Sequence, residues 1–221
     1  MAKIFVGLPT YKTFQDMEVR RLQEEVFKNC PHEVIVQEVN GMNIEQARQV
    51  AIDSFLKTDA EYFLNIDSDI IPFRNIQAGE QCPIDKLIKA DKDIVGAIYF
   101  FRRKYCQPVY RPLELQEFYE KNGKFPENFK WVIPDKLFEA QWTGNGFKLV
   151  KRKVIEAVKK TIKIPNLPMI YKEEYLGEDW AFDQRARELG FNVWLEPSIK
   201  LGHRGIYDFT REDFDRYYGV N

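Results

Sequence analysis

The sequence predicts an α/β fold in which helices flank a mostly parallel, Rossmann-like central sheet. Strand-like and helix-like segments alternate as β-α-β-α-β up to Ile66, the order that gives parallel strands with right-handed crossovers. The apolar run that ends at Ile66 lacks polar alternation, as a strand covered on both faces does. The chain has 221 residues, of which 44% are hydrophobic, so it is long enough for one sizeable domain with a full core.

The elements of the first half have clear local signals. Val19, Leu22 and Val26 recur at helical spacing after Asp16, a residue type that often caps the first turn of a helix. Asn40-Gly41 indicates a turn before the second helix. The predicted strands are 3–8, 33–39, 61–66 and 93–101, the predicted helices are 16–28, 44–56 and 84–90, and 74–83 is predicted to be a loop.

The second half has weaker periodicity. Residues 108–134 are rich in aromatic, proline and charged side chains and are predicted to cover one side of a site, whereas 165–175 are predicted to be irregular. Gly190 ends one predicted helix, and Thr210 with Asp213 resembles a capping box at the start of another. The predicted strands are 137–142, 148–150, 192–195 and 199–201, and the predicted helices are 153–160, 177–189 and 210–218.

Composition and charge exclude several classes of protein. The 33 Lys and Arg residues nearly balance the 34 Asp and Glu residues, so the net charge of −1 gives no field that favours nucleic acid or an anionic membrane. Cys30, Cys82 and Cys106 are far apart and form no CxxC pair, which argues against a disulfide framework or a zinc site. No apolar run approaches the roughly 20 residues of a membrane span, and the first residues lack a signal-peptide pattern. We predict a cytoplasmic protein, and nothing in the sequence indicates its oligomeric state.

Two aspartates follow the third predicted strand. Asp67 and Asp69 flank Ser68 just past the carboxyl end of that strand, where open α/β sheets bind ligands. Because residues i and i+2 of an extended chain point the same way, both carboxylates are predicted to face one point. Like charges this close repel unless a cation lies between them. A divalent metal ion that also binds phosphates explains the pair, and two aspartates in an ordinary turn are the simpler alternative.

A histidine and a second acidic pair extend this candidate site. His203 follows a short apolar strand between two glycines, where a neutral imidazole would complete the coordination begun by Asp69; a surface or core histidine is the alternative. Glu178 and Asp179 open a predicted helix, where Asp is also a common cap. A helix N-terminus fixes a carboxylate as a general base requires, but it lowers the pKa, so base strength would have to come from burial.

Three further segments allow two interpretations each. The segment Thr143-Gly144-Asn145-Gly146 is either a hairpin turn or a place where a bulky substrate approaches the backbone. Arg48, beside the apolar face of its helix, is either solvated or neutralises a phosphate, and the same holds for Arg102-Arg103-Lys104 after the fourth strand.

In this order and spacing, the residues resemble the GT-A glycosyltransferases, especially small members similar to family 2. The resemblance implies one GT-A domain over 1–221, with a nucleotide-sugar-binding half over about 1–100 and an acceptor-binding half with a smaller sheet over about 101–221. The matching pieces span residues 3–205: Pro9-Thr10-Tyr11, Ala47-Arg48, Asp67-Ser68-Asp69, Gly144-Asn145-Gly146-Phe147, Gly177-Glu178-Asp179 with Phe182, and Leu201-Gly202-His203.

The resemblance also implies a donor side. Asp69 and His203 would bind a metal ion, usually Mn²⁺ and otherwise Mg²⁺, while Asp67 would contact the ribose or sugar or reach the metal through water. The nucleotide part of a UDP- or GDP-sugar would be held by Pro9, Thr10, Tyr11, Arg48 and Ser68.

On the acceptor side, Asp179 matches the carboxylate that deprotonates the acceptor hydroxyl in inverting members. Trp180 stands where many members have an acidic residue, which leaves the acceptor open, and its ring would stack on a sugar. The acceptor is implied to be a glycan or another hydroxyl-bearing molecule, contacted by Gly144, Asn145, Gly146, Glu178 and Trp180.

The sequence therefore predicts a metal-dependent glycosyltransferase, inverting if Asp179 is the base. A retaining enzyme of the same fold is one alternative. A sugar-phosphate nucleotidyltransferase is another, although it would need a Gly-rich, Arg-containing loop where Leu8-Pro9-Thr10-Tyr11-Lys12 stands. A glycoside hydrolase would use two carboxylates without the aspartate pair and metal, and a non-catalytic carbohydrate- or nucleotide-binding module would keep only the aromatic residues.

Overall fold

The computed structural model describes residues 1–10, 16–72, 81–102, 106–205 and 208–219, with backbone only at 208 and 209. Thirteen strands and seven helices lie in these ranges. They are β1 (Lys3–Thr10), α1 (Met17–Lys28), β2 (Glu33–Asn40), α2 (Ile44–Phe55), β3 (Tyr62–Ile66), β4 (Ile70–Pro72), α3 (Pro83–Lys89), β5 (Ile94–Ala97), β6 (Tyr110–Pro112), α4 (Leu113–Asn122), β7 (Phe138–Thr143), β8 (Phe147–Lys151), α5 (Arg152–Thr161), β9 (Met169–Tyr171), β10 (Glu174–Leu176), α6 (Glu178–Glu188), β11 (Val193–Glu196), β12 (Leu201–Arg204), β13 (Asp208–Phe209) and α7 (Arg211–Tyr218).

Eight of these strands form the central sheet, in the order β2-β1-β3-β8-β5-β11-β7-β6. β1 pairs in parallel with β2 and β3, and β5 pairs in parallel with β11. β8 is antiparallel to β3 and β5, and β7 is antiparallel to β11 and β6. Six of the eight described strands therefore run in one direction, with β7 and β8 opposed. This confirms the predicted α/β fold with a mostly parallel, Rossmann-like sheet.

Helices cover both faces of the sheet because the strands are apolar on both sides. On β1, Ile4, Val6 and Leu8 pack into one core cluster with residues of α1 and α3. Phe5 points to the other face and packs with residues of α2, α5 and α6. The carboxyl ends of β1 and β3 lie side by side between these layers, which places Thr10 near the residues that follow Ile66.

Two small antiparallel sheets complete the described fold. β4, β12 and β13 form one of them, and its register places His203 opposite Ile70, the residue after Asp69. β9 and β10 form a hairpin before α6. A third core cluster, which includes Tyr110, Trp131 and Phe214, lies under α4 and α7.

The structure differs from the sequence prediction in several segments. The fourth predicted strand ends early, at Ala97, because the chain folds back and the N–H of Val109 donates to the carbonyl of Tyr99 at 2.8 Å. Residues 108–134 contain β6 and α4, and 165–175 contain the β9–β10 hairpin, none of which the weak periodicity predicts. The short strand β4 is also an addition.

Some predictions fall outside the described residues or are not tested. Tyr11, Arg103, Lys104 and most of the predicted loop 74–83 lie outside the described ranges. The division into a nucleotide-sugar half and an acceptor half stays a prediction. Within the described ranges, no helix combines the length and apolarity that a bilayer crossing requires.

Candidate functional site

The two aspartates lie in a tight turn between β3 and β4. The N–H of Ile70 donates to the carbonyl of Asp67 at 3.1 Å and closes the turn. Gln23, fully buried on α1, donates from Nε2 to the carbonyls of Asp67 and Ile70 at 3.0 and 2.8 Å. The expectation that 67–69 continues as extended chain is therefore wrong, and Asp67 and Asp69 meet different partners.

Arg48 is buried inside the site and joins two of its acidic groups. Its Nη2 lies 3.1 Å from Asp67 Oδ1 and 3.4 Å from Glu178 Oε1, and the residue is only 3% exposed. Burial disfavours the charged guanidinium, yet these carboxylates hold the pKa of Arg48 above its ordinary value. Burial, opposed in part by Arg48, also raises the pKa of Asp67. The alternative that Arg48 is a solvated edge residue is thus wrong, because it links the aspartate turn to the start of α6.

His203 and Arg102 are the partners of Asp69. The Nε2 of His203 lies 3.5 Å from Asp69 Oδ2, while its Nδ1 lies 2.7 Å from the carbonyl oxygen of Phe100, which can only accept. With Nδ1 donating to this carbonyl, Nε2 presents to Asp69 either a lone pair, when the ring is neutral, or an N–H that donates to the carboxylate, when the ring is protonated. Arg102 Nη1 lies 2.9 Å from the same Asp69 oxygen. Burial favours the neutral acid, but the imidazole and Arg102 outweigh it and lower the pKa of Asp69.

The donor set of Asp69 and His203 fits a divalent metal ion. A carboxylate oxygen and an imidazole nitrogen are both ligands for first-row metals such as Mn²⁺. Within the described ranges, no three His, Cys, Asp or Glu side chains are arranged as a metal site by themselves. Two protein ligands would leave the other positions to phosphate and water oxygens, which is how Mg²⁺ is commonly held at phosphate sites. Asp67 is engaged by Arg48, so its part in metal binding stays a prediction.

A small cavity lies beside the aspartate turn. Its volume is about 150 Å³, and Thr10 at the end of β1 is held there by donating to the carbonyl of Val39 at 3.4 Å. The structure thus brings most of the predicted nucleotide-binding residues to one place. The cavity is lined by Pro9, Thr10, Met42, Ile44, Ala47, Asp67, Ser68 and Asp69.

Asp179 lies in the first turn of α6, next to Glu178. Its Oδ1 accepts a hydrogen bond from the N–H of Trp180 at 2.8 Å. Burial raises the pKa of Asp179 to about 7, the charge of Glu178 adds to the effect, and Lys148 and Arg48 oppose it. Burial therefore supplies the basicity that the helix N-terminus alone would remove.

The loop between β7 and β8 packs on the ring of Tyr99. The N–H of Gly146 donates to Tyr99 Oη at 3.1 Å, and its carbonyl accepts from the N–H of Asp67 at 3.1 Å. A Cβ on Gly144 would lie 1.9 Å from Tyr99 Oη, and one on Gly146 would lie 2.6 Å from Cζ. The close approach of Tyr99 accounts for both glycines, and their contact with an acceptor stays a prediction. The ring also meets His203 edge-on, with centroids 5.4 Å apart.

Asn145 stands between these glycines and is 1% exposed. Neither its Oδ1 nor its Nδ2 has a hydrogen-bond partner among the described residues. Buried side-chain polar atoms are nearly always paired, so this amide is an unusual feature of the site.

Trp180 is held in place by the ring of Trp142 and by the guanidinium group of the buried Arg111. It stacks on Trp142, with centroids 5.2 Å apart and planes at 25°. The guanidinium carbon of Arg111 lies 4.5 Å from the Trp142 centroid and 4.7 Å from that of Trp180. Arg111 in turn makes two 2.6 Å contacts with the carboxylate of Glu174. The ring of Trp180 is thus fixed beside Asp179.

A buried ion pair that the sequence pattern did not predict lies behind Asp179. Lys148 Nζ lies 2.6 Å from Asp183 Oδ1, and both side chains are fully buried. Asp183, one helical turn after Asp179, also accepts from the N–H of Thr143 at 2.8 Å. The pair ties the β7–β8 loop to α6. The available signal was a lysine inside the otherwise apolar Phe147-Lys148-Leu149-Val150.

No protein-family model and no curated protein matches the sequence. Among solved structures, the crystal structure of A197 from STIV has 19% sequence identity and a TM-score of 0.58, covering 93% of this chain and 86% of that chain. This similarity concerns the fold.

Two enzymes are more distant in structure. GalNAc-T7, solved with UDP, GalNAc and Mn²⁺, has 10% identity and a TM-score of 0.46, covering 99% of this chain and 48% of that chain. The nucleoside-diphosphate-sugar pyrophosphorylase from Vibrio cholerae RC9 has 8% identity and a TM-score of 0.45, covering 98% and 80%. At these values neither enzyme assigns a reaction to this chain.

Proposed function

We propose that this chain is a metal-dependent glycosyltransferase that moves a sugar from a nucleotide-diphosphate sugar to an acceptor hydroxyl with inversion. One observation carries the proposal: Arg48 joins the turn of Asp67 and Asp69, with His203 beside Asp69, to the start of the helix that holds Asp179. A metal-binding donor side and a general base on the acceptor side would thus share one site.

On the donor side, Asp69 and His203 would hold Mn²⁺ or Mg²⁺. When bound, the metal supplies positive charge that stabilises the departing diphosphate. Arg102, which contacts Asp69, adds a second cation at the same place. Asp67, oriented by Arg48, would contact the ribose or the sugar. The cavity lined by Pro9, Thr10 and Ser68, together with Tyr11, would take the nucleotide of a UDP- or GDP-sugar.

On the acceptor side, Asp179 would take the proton of the acceptor hydroxyl. The freed oxygen attacks the anomeric carbon as the bond from that carbon to the diphosphate oxygen breaks, and the electron pair leaves with the nucleotide diphosphate. A carboxylate with a pKa of about 7 is well matched to this proton transfer near neutral pH.

The predicted acceptor contacts lie around this carboxylate. Trp180 follows Asp179 and presents a fixed ring, and Glu178 is oriented by Arg48. Asn145, on the β7–β8 loop, keeps a buried amide without a partner among the described residues, and its contact with the acceptor stays a prediction. Gly144 and Gly146 would contribute backbone to the same surface.

A donor screen that measures nucleotide diphosphate release tests the proposal. Panels of UDP- and GDP-sugars are incubated with the protein in Mn²⁺ and in EDTA. In parallel, nucleoside triphosphates are incubated with sugar 1-phosphates, where release of pyrophosphate would detect a nucleotidyltransferase. We expect at least one donor to release its diphosphate only with the metal. Asp69→Asn should abolish this release, whereas Asp53→Asn, which alters an aspartate of a surface ion pair on α2, should not. Turnover that survives EDTA, or no turnover of any donor, would overturn the proposal.

A further inference from the structure

An aromatic cleft lies beside Trp180. Its volume is about 330 Å³, at the small end of the range of ligand pockets. It lies between β6, the first turn of α4 and the chain that follows α4. Its aromatic lining includes Phe101, Tyr110, Phe125, Phe129, Trp131 and Trp180.

The rings of the cleft are held in place by other rings. Trp131 makes edge contacts with Tyr110 and Phe129, with centroids 5.3 and 5.2 Å apart. Phe125 stacks on Tyr119 at 4.5 Å, and it is still 39% exposed. Rigid ring faces bind a ligand at a low ordering cost, because few side-chain rotamers are lost on binding.

The polar groups of the cleft distinguish its ligand from a hydrocarbon. Arg111 lines the cleft, but its charge is matched by Glu174 and its guanidinium packs on the rings of Phe125 and Trp180, so it holds these rings in place and is not a free cation. Gln107 and Glu127 also line the cleft, and both are exposed. A pyranose ring has an apolar C–H face and a rim of hydroxyls, which suits ring faces combined with a few amide and carboxylate groups. A saccharide can form hydrogen bonds with these exposed groups, whereas an alkyl chain would gain nothing from them.

We propose that this cleft binds the saccharide part of the acceptor, a glycan with more than one sugar unit. Trp180 links the cleft to the proposed base, because it lines the cleft and directly follows Asp179 in the chain. The unit that carries the attacked hydroxyl would lie at Asp179, and the next unit would lie against Phe125 and Trp131. The glycan's role as acceptor rests on the proposed function, whereas its binding to the cleft does not.

Glycan binding is tested with protein free of metal and nucleotide. The protein is applied to an array of plant, microbial and animal glycans, and glycans that bind are titrated while the indole N–H signals of the tryptophans are followed by NMR. We expect at least one glycan class to bind and to shift the signals of Trp131 and Trp180 but not that of Trp194. Phe125→Ala should weaken this binding about tenfold, which corresponds to about 1.4 kcal/mol.

Phe118→Ala is the matched control, because Phe118 lies on α4 with 40% exposure and does not line the cleft. Its affinity for glycans should equal that of the wild type. No binding on the array, binding that Phe125→Ala leaves unchanged, or saturable signal shifts only with an alkyl phosphate such as dodecyl phosphate would overturn the inference.

A separate readout distinguishes this inference from the proposed function. Binding of UDP or GDP with Mn²⁺ is measured in the same variants, and Phe125→Ala should leave it unchanged. If glycans bind the cleft but no donor turns over, the proposed function fails and the cleft assignment stands. If donors turn over but no glycan binds, the cleft assignment fails by itself.

Discussion

Asp69 and Asp179 are carboxylates of one site, but their environments shift their pKa values in opposite directions. Asp69 faces His203 and Arg102, which outweigh its burial and lower its pKa. Asp179 is partly buried beside Glu178, and this desolvation raises its pKa to about 7. A carboxylate kept ionised suits a metal ligand, and one that titrates near neutral pH suits proton transfer. The residue type is the same, so the difference comes entirely from the surroundings.

The fold creates these two environments in different ways. The β4–β12 register places His203 beside the aspartate turn and so surrounds Asp69 with nitrogen groups. The start of α6 instead places Asp179 between an acidic neighbour and an aromatic one. Lys148, whose charge opposes the rise in pKa, is already paired to Asp183. If the proposed function holds, the donor and acceptor sides can be altered separately, and the following changes test that separation.

The largest effect is expected from Asp179→Asn. Transfer to an acceptor should fall by about 10²–10⁴-fold, because general-base catalysis is lost. Binding of the Mn²⁺–nucleotide complex should be retained, since the donor side is intact. Steady-state transfer rates and calorimetry measure the two quantities on the same preparation.

The pH dependence of the wild type gives an internal check of this result. Because the base must be deprotonated, its transfer rate should rise with pH and level off above about 7, and Asp179→Asn should lose this rise. Near-wild-type transfer by Asp179→Asn would contradict the assignment and favour a retaining mechanism that does not use this base. Glu188→Gln, at the exposed end of α6, serves as the control.

Loss of Lys148 should have the largest effect on stability. Lys148→Met leaves the Asp183 carboxylate buried without its partner, so the free energy of unfolding in urea should fall by about 3–5 kcal/mol. The double variant Lys148→Met/Asp183→Leu should recover much of this loss, because no buried charge remains.

A surface ion pair provides the matched control for that measurement. Lys153→Met removes an exposed lysine that lies 2.8 Å from Asp93, and it should cost less than about 1 kcal/mol. Equal losses for the buried and exposed lysines would contradict the role given to Lys148 in holding the β7–β8 loop on α6.

Asp179→Asn is expected to increase the free energy of unfolding, whereas Lys148→Met decreases it, and the change should be smaller. The folded state binds the Asp179 proton more tightly than the unfolded state, so the wild type loses stability as pH rises from about 4 to about 7. The variant avoids this loss and should be more stable than the wild type by about 1–2 kcal/mol at pH 8, with a smaller difference at pH 5. Urea unfolding at both pH values measures it.

In metal-free protein, Asp69→Asn should lower the free energy of unfolding, whereas Asp179→Asn should raise it. The lowered pKa of Asp69 means that its ionised form stabilises the fold above the unfolded pKa near 4, and this is lost only as pH falls further. The variant should therefore be less stable than the wild type at neutral pH. Stabilisation by both substitutions would remove the distinction between the two carboxylates.

The sequence predicts the parts of this molecule that depend on local pattern. The β-α-β-α-β order, the caps at Asp16 and at Thr210 with Asp213, and the position of Asp179 at a helix start are confirmed, because each depends on neighbouring residues. The partners of charged residues could not be predicted. Arg48 pairs with Asp67, 19 residues away in sequence, and Lys148 pairs with Asp183, 35 residues away. Such pairing depends on strand register and helix packing.

The aspartate turn illustrates the same limit. An extended chain and a turn fit the residues 67–69 equally well, and it is Gln23 on a distant helix that helps to hold the turn. The β9–β10 hairpin and α4 were missed because packing of aromatic side chains, more than periodicity, defines the second half.

Calorimetric titration of UDP and GDP, with Mn²⁺ and with EDTA, tests most directly whether Asp69 and His203 hold a metal that a nucleotide shares. We expect one nucleotide to bind at least about tenfold more tightly with Mn²⁺ than in EDTA. Asp69→Asn and His203→Ala should lose this difference, while Asp179→Asn should keep it. Equal affinity with and without Mn²⁺ in the wild type, or a metal-linked gain that persists in Asp69→Asn, would contradict the metal assignment.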